Sequence, residues 1–322
     1  MDAADQPAGA RLAQSDDVGQ ADWIGPRLAP FGSGVVTSVV PGGFPAYGRV
    51  LHPAEDPDTG DRLVRWTAVA AWSGMPLRSD SQFHSVALPP VRPASPAPWS
   101  GQGPHRGTMY PPDAAVLAGL LRDWTMTPER CWFCVWDGYG WMAVGDGPRV
   151  CLPARDYLLY RGPVEAGAAT VGLAGHRQTA NLWWPEDRAW CVATEVDLAW
   201  TYVGGATGLI EQLVTDDRIE ALPAGPQDHV GGVEDWAAEW AAQATTDLLA
   251  AGAALVTTSR GTMRVWLTRP AGLGSGILRT QWEGDNGVSG SGSGKLHGRS
   301  EEELRDEVRS RLAWEIIGLV ER

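Results

Sequence analysis

The amino-acid sequence predicts an α+β protein with a mainly antiparallel sheet, built from hairpins and packed with several amphipathic helices. Three observations support this fold class. Segments rich in valine and tryptophan are typical of strands, and turn residues separate several of them. Segments with helical periodicity lie among these strands without the regular alternation of a parallel βαβ fold. The composition, 43% hydrophobic and 20% charged over 322 residues, is typical of a folded globular chain.

The first third of the chain predicts a tail followed by a small folded region. Residues 1–21 are polar and predict a disordered tail, whereas residues 22–98 predict an N-terminal α+β region. Within this region, "SGVVTSVVPGGFPAYGRVLHP" predicts two β-rich pieces around a Pro-Gly-Gly turn. "RLVRWTAVAAWSG" favours a short helix that is closed by Gly74, with a strand as the alternative. The Pro/Gly-rich stretch from Leu88 to Pro112 contains the expected domain boundary.

Residues 99–283 predict the main α+β domain. Its first helix lies in "PPDAAVLAGLLRDW", with an apolar face formed by Val116, Leu117, Leu120, Leu121 and Trp124. The predicted strands that follow are Cys131–Trp136, Trp141–Val144, Tyr157–Tyr160, Trp190–Leu198 and Trp200–Val203. The turn sequence Asp-Gly-Tyr-Gly joins the first two of these strands into a predicted hairpin. Two later helices have apolar faces formed by Leu209, Ile210, Leu213 and Val214, and by Trp236, Trp240, Ala244 and Leu248.

The C-terminal part of the sequence predicts a second hairpin, a linker and a final helix. "ALVTTSRGTMRVWLT" predicts the hairpin, and "GILRTQW" adds a strand. Residues 284–299 are rich in glycine and serine and predict a flexible linker. Residues 300–322 predict a C-terminal helix that begins with a capping box and docks on the body. Its apolar stripe consists of Leu304, Val308, Leu312, Ile316 and Val320.

The cysteines predict structural thiols and no metal or redox site. In "CWFCVWDGYGW" the pair Cys131 and Cys134 lies among strand formers, and a strand would direct the two thiols to opposite faces. A zinc or redox pair needs both sulfur atoms on one side. Cys151 and Cys191 stand alone in strand-like segments. We therefore expect four buried thiols, no bound metal and no cofactor.

The charge and the terminal segment limit the classes of partner. A formal net charge of −13 argues against a nucleic-acid-binding protein, because phosphate binding requires a clustered basic face. No apolar run reaches the length of a membrane span, so no membrane partner is expected. The opening segment lacks the basic and apolar regions of a secretory signal. We expect a cytoplasmic protein.

Two carboxylates provide the most specific candidate site. In "RAWCVATEVDLAWTYVGG", strand alternation would place Glu195 and Asp197 on one face, where they could share a cation, a substrate hydroxyl or a basic group of a partner. An ordinary solvent-facing sheet surface is the alternative. The other residues of the candidate ligand- or partner-binding site are Trp183, Trp184 and Trp200 as an apolar wall, and His176 in a Gly-rich loop. The sequence assigns no catalytic residue.

The segment Leu182 to Leu222, together with "CWFCVWDGYGW" and "GFPAYGRVLHP", resembles an uncharacterised tryptophan-rich family of high-GC, actinobacterial-type bacteria. The chain is also loosely similar in style to SUKH-type immunity proteins, which are acidic α+β proteins with Trp-Gly-rich hairpins. Because the sequence contains no nucleophile, metal or cofactor motif, it favours a non-enzymatic binding protein whose acidic, Trp-rich surface clasps a basic partner, and the second resemblance implies an immunity-like role. The alternative is an enzyme of unknown reaction that uses Glu195, Asp197 and a loop histidine in an aromatic cleft. Convergence of those three groups in one pocket would favour the enzyme.

Overall fold

The computed structural model describes residues 12–31, 33–55, 63–75, 77–87, 95–99, 103–141, 147–171, 178–230, 235–258, 261–268, 276–284, 289–296, 303–309, 311–312 and 316. The chain divides into two compact units. The first unit contains residues 1–71, 76–83 and 97–230, and the second contains residues 72–75, 84–96 and 231–322.

The strands of the described residues are β1 (Ala13–Gln14), β2 (Ala46–Leu51), β3 (Ala54–Glu55), β4 (Leu63–Val64), β5 (Cys131–Trp136), β6 (Val150–Leu152), β7 (Arg155–Gly162), β8 (Leu182–Pro185), β9 (Cys191–Ala193), β10 (Trp200–Gly205), β11 (Ala221–Ala224), β12 (Ala253–Thr258), β13 (Gly261–Thr268), β14 (Gly276–Gly284) and β15 (Ser289–Leu296). The α-helices are α1 (Trp66–Ser73), α2 (Phe83–Val86), α3 (Pro111–Arg122), α4 (Thr207–Thr215), α5 (Asp235–Ala251) and α6, which contains the helical residues 303–309, 311–312 and 316.

The first unit is built on one antiparallel sheet with the strand order β1-β7-β5-β8-β9-β10-β2-β11, and β6 pairs with β7. Strand β2 comes from residues 22–98, yet it lies between β10 and β11 and pairs with both. The predicted N-terminal region therefore shares its sheet with strands from residues 99–283. The α+β class and the antiparallel pairing that the sequence predicts are confirmed.

Both faces of the central strands are covered. One face packs against α3 and α4 in a core that contains Phe133, Trp183 and Leu117. On the other face, Trp23 of the N-terminal segment meets Trp184 edge to face. All six residues of β10 are consequently buried, with no polar-out alternation.

The described helices follow the apolar patterns of the sequence. Helix α3 buries Leu117, Leu120 and Leu121, with Val116 and Trp124 packed against the same core. Helix α1 ends at Gly74, whose φ of +77° is the left-handed conformation of a glycine C-cap. Helix α4 likewise buries Leu209, Ile210 and Leu213, as predicted. The side chains of Trp236 and Trp240 in α5 lie outside the described residues.

Three strand predictions need correction. Strand β5 does not form a hairpin with residues 141–144: it pairs with β7 and β8, Trp141 lies in a turn, and residues 142–144 lie outside the described residues. The predicted strand Trp190–Leu198 is limited to β9, which ends at Ala193. In the first β-rich piece near the N-terminus, Val36–Ser38 form a short 3-10 helix instead of a strand. The backbone N–H of Val36 donates to Asp228 and that of Thr194 donates to Asn181, and a local sequence pattern does not encode such non-local contacts.

The second unit contains the four-stranded antiparallel sheet β12-β13-β14-β15. Its core joins the sheet to α5 and α6, and Leu304, Val308, Leu312 and Ile316 of the predicted stripe are all buried there. The predicted flexible linker, residues 284–299, is corrected: residues 289–296 form β15 and pair with β14 along its whole length. The alternating Gly-Ser sequence fits a strand because serine and glycine then occupy opposite faces.

The four cysteines are free thiols. Cys131, Cys134 and Cys191 are buried, whereas Cys151 is exposed, which corrects the prediction that all four are buried. Along β5, Cys131 joins the core on the side of α3, and Cys134, three residues further, points to the other face. Burial raises the pKa of Cys131 to about 12 and raises the pKa of Cys134 and of Cys191 well above the ordinary range.

Candidate functional site

Glu195 and Asp197 meet at one arginine. The Arg155 Nη2 atom lies 2.7 Å from Glu195 Oε1 and 3.1 Å from Asp197 Oδ2. Arg155 Nε donates a further bond of 3.1 Å to Glu195 Oε1. The side chain of Asp197 is 79% exposed, against 18% for Arg155 and 20% for Glu195. We call these three residues the ionic cluster. It carries a net charge of −1 and presents a carboxylate to the solvent.

The two carboxylates reach this position through a turn and not through a strand face. Strand β9 stops at Ala193, and the backbone N–H of Leu198 then donates to the carbonyl of Glu195, which closes the turn over residues 195–198. Arg155 is the first residue of β7. Glu195 and Asp197 therefore share an internal cation, Arg155, and their recognition of a group outside the chain stays a prediction.

Aromatic side chains surround the ionic cluster. The Arg155 guanidinium carbon lies 5.2 Å from the ring centre of Trp136 and 5.7 Å from that of Phe31, which is 55% exposed. Trp136 meets Tyr139 edge to face at 5.0 Å, and Tyr139 stacks on Trp141 at 5.3 Å. Such rings attract cations through their electron-rich faces. These four rings form the aromatic wall of the site.

Asn181 fixes the segments that carry the site. Its buried amide nitrogen lies within 3.1 Å of the Thr194 carbonyl and of the Tyr139 hydroxyl, and its carbonyl oxygen accepts the backbone N–H of Trp136 at 2.9 Å. One side chain therefore joins the end of β5, the aromatic turn and the start of the acidic turn. Burial raises the pKa of Tyr139 to about 12, so this hydroxyl stays protonated as a hydrogen-bonding group.

The predicted tryptophan wall is part of the core instead. Trp183, Trp184 and Trp200 have at most 4% of their surface exposed. Trp183 stacks on Phe133, and Trp200 lies under the guanidinium of Arg49 at 3.9 Å. These three side chains are too large and too well packed to face a partner, which corrects the prediction.

The enzyme alternative requires a loop histidine near Glu195 and Asp197. Among the described residues, no histidine bonds to either of these carboxylates. His176 lies outside the described residues. His52 is buried between the His105 carbonyl and Thr201, and His105 pairs with Glu55 at 2.8 Å. The pocket beside Glu195 is lined by residues that include Leu28, Phe31, Ser38, Arg155, Tyr157 and Asn181, and it encloses about 30 Å³. This volume holds about two water molecules.

Within the described ranges, no group of three or more histidine, cysteine or acidic side chains is arranged to hold a metal ion. Among the helices that the structure describes, none is long and apolar enough to cross a membrane.

Sequence reasoning missed Arg155, Asn181, Trp136, Tyr139 and Phe31. Trp136 and Tyr139 were visible as aromatic residues beside a turn, but nothing local connected them to Glu195. Comparison of the chain with known protein families, with characterised proteins and with solved structures finds no match. The inference of function therefore rests on the residues of the chain itself.

Proposed function

We propose that the chain is a non-enzymatic binding protein that recognises a basic group of a partner protein at the ionic cluster. An immunity protein that neutralises a basic partner is one example of this class. The observation that carries the proposal is the exposure of Asp197 beside the nearly buried Arg155. Because Arg155 is held by Glu195, the Asp197 carboxylate is left facing solvent with one oxygen, Oδ1, that is bonded to no described group.

A lysine or arginine of a partner fits this arrangement for two reasons. Asp197 offers a charged acceptor, and the ring of Phe31, which is 55% exposed and lies against Arg155, adds an aromatic surface near it. The net charge of −13 adds a long-range attraction that accelerates the encounter with a basic protein. Free thiols are the normal state of cysteine in the cytoplasm, which supports this compartment as the place of binding.

The test compares Asp197→Asn with wild type. Partners are captured from the native host, and the recovered partner is then titrated against both proteins at low and at physiological salt. We expect Asp197→Asn to weaken binding by roughly 3-fold to 10-fold and to reduce its salt dependence, because one rim charge contributes about 1 kcal/mol. Asp123→Asn is the matched control, because it removes one exposed carboxylate elsewhere on the same unit. Equal affinities of the two variants would mean that Asp197 is an ordinary solvated residue.

Glu195 needs a separate variant because its role is internal. Glu195→Gln leaves the largely buried guanidinium of Arg155 with a weaker acceptor, so we expect a loss of about 1–3 kcal/mol in the free energy of unfolding. Asp197→Asn should change that free energy by less than about 0.5 kcal/mol. Urea unfolding of both variants separates the positioning role of Glu195 from the recognition role of Asp197.

A further inference from the structure

The sheet of the second unit has one covered face and one open face. Val256, Met263, Val265, Leu278 and Trp282 point into the core with the two helices. The alternate positions of the same strands lie on the other face, where Leu255 is 61% exposed and Trp266 is 37% exposed. Large apolar side chains that share an exposed face indicate a contact surface.

The strand register arranges the open face as two neighbouring rows. In one row Leu255 pairs with Arg264, which pairs with Gln281. In the adjacent row Trp266 pairs with Arg279. Each apolar anchor thus has an arginine directly beside it across the strands, where side chains interact. Tryptophan and arginine are the residue types that most often dominate protein interfaces.

The charge of this face differs from that of the whole chain. The exposed charged side chains on the described part of this face are Arg264, Arg279 and Glu283, a net charge of +1 in a chain of net charge −13. Arg264 and Arg279 are exposed, and neither guanidinium pairs with a carboxylate of a described residue. Glu283 is the acidic side chain on the described part of this face. It lies two residues beyond Gln281 along β14, outside the two rows. The centre of the face is therefore basic.

We propose that this open face is a docking site for a short acidic segment of a partner protein that also carries an apolar side chain. Charge complementarity assigns the carboxylates of that segment to Arg264 and Arg279, and its apolar side chain to Trp266 and Leu255. Four strands about 4.8 Å apart and eight residues long span roughly 500 Å². This area is below the roughly 800 Å² per partner of a standard interface, so a segment fits better than a globular surface.

Two observations favour a protein segment over single-stranded nucleic acid. Nucleic-acid platforms stack successive bases on several aromatic rings, whereas Trp266 is the exposed aromatic on the described part of this face. The overall charge of −13 also repels a polyphosphate more strongly than a peptide with few carboxylates. This docking site has the opposite charge preference to the ionic cluster and is independent of it.

The test uses the full chain and a displayed peptide library. Peptides are selected on wild type alone, and the affinity of a selected peptide for wild type and for the variant Arg264→Glu/Arg279→Glu is then measured by fluorescence anisotropy. The matched control is Arg305→Glu/Arg309→Glu, which makes the same change of charge at exposed positions of α6. Trp266→Ala tests the apolar anchor.

We expect the selected peptides to combine Asp or Glu with a large apolar residue. Their affinity should fall roughly tenfold or more in Arg264→Glu/Arg279→Glu and in Trp266→Ala, and should be retained in the control and in Asp197→Asn. Unchanged melting temperatures of the variants show that the effect is not unfolding. No enrichment, enrichment of basic peptides, or equal losses in the charge-reversal and control variants would each overturn the proposal. Tighter binding of oligo(dT) that is lost with the two arginines would overturn it in favour of nucleic acid.

Discussion

The thiols differ in their surroundings, although the sequence places all four in strand-like segments. Cys131, Cys134 and Cys191 are buried, and burial raises their pKa, so the reactive thiolate is scarce at neutral pH. Cys151 is exposed, and its pKa is raised chiefly by its hydrogen bond to Asp156.

We expect one thiol to react with Ellman's reagent in the native protein and three more to react only after unfolding. Cys151→Ser should abolish the fast reaction. Fewer than four thiols in denaturant without reductant would contradict the free state of the cysteines.

His52 is a buried histidine held in its neutral form. Its Nδ1 atom lies 2.8 Å from the carbonyl oxygen of His105, which only accepts, so Nδ1 carries the proton and Nε2 accepts from the Thr201 hydroxyl at 2.9 Å. Burial lowers the pKa of His52 from 6.5 to about 4, and the nearby charge of Arg49 acts in the same direction.

This depressed pKa makes stability depend on pH. Between pH 6.5 and 4 the unfolded chain binds a proton at this residue and the folded chain does not, so stability falls as the pH falls through this window. The full loss is on the order of 3 kcal/mol. His52→Asn keeps a donor for the His105 carbonyl and removes the titration. The difference in unfolding free energy between wild type and His52→Asn should shrink as the pH decreases; a constant difference would show that His52 does not titrate in this range.

At the scale of elements, α6 completes the core of the second unit. Leu304, Val308, Leu312 and Ile316 cover the sheet together with α5. Leu312→Ala removes a fully buried side chain, so we expect the free energy of unfolding to fall by about 2–5 kcal/mol, whereas exposed Arg309→Ala should change it by less than about 0.5 kcal/mol.

Deletion of residues 300–322 should cause aggregation because the covered face of the sheet becomes exposed. A soluble deletion variant with an unchanged melting curve would show that α6 does not support this core.

The elements that were predictable from the sequence are those whose apolar residues recur at a regular spacing. The stripe of α3 and that of α6 show which residues are buried, because a helix repeats its buried face every three or four positions. Strand β15 was missed because its first six residues are serine and glycine and carry no hydrophobic alternation; its pairing with β14 defines it as a strand.

The candidate site was predictable only in part. Glu195 and Asp197 contact the same arginine, but the sequence grouped them through an alternation that the structure does not contain, since β9 ends before them. The contact of Arg155 with Glu195 depends on the order β7-β5-β8-β9, and residues 40 positions apart leave no local trace of such a contact. Trp183 and Trp200 were misplaced because both faces of the first sheet are covered, so a strand position does not reveal exposure there.

At the scale of the whole molecule, each compact unit has its own hydrophobic core. Leu117 belongs to the core of the first unit and Leu312 to that of the second. We expect two unfolding transitions in calorimetry, with Leu117→Ala lowering one melting temperature and Leu312→Ala lowering the other. A single transition that both variants shift equally would show that the two cores unfold together.

The tryptophan pairs of the first unit have an optical consequence. The indole rings of Trp183 and Trp190 lie 5.3 Å apart at 80°, those of Trp23 and Trp184 lie 6.1 Å apart at 74°, and those of Trp66 and Trp200 lie 6.4 Å apart at 84°. Rings this close and this strongly crossed share their electronic excitation, which produces circular dichroism in the near ultraviolet. That signal originates in the packed interior of the first unit, so it follows the melting of that unit, while the far-ultraviolet spectrum follows the melting of both units.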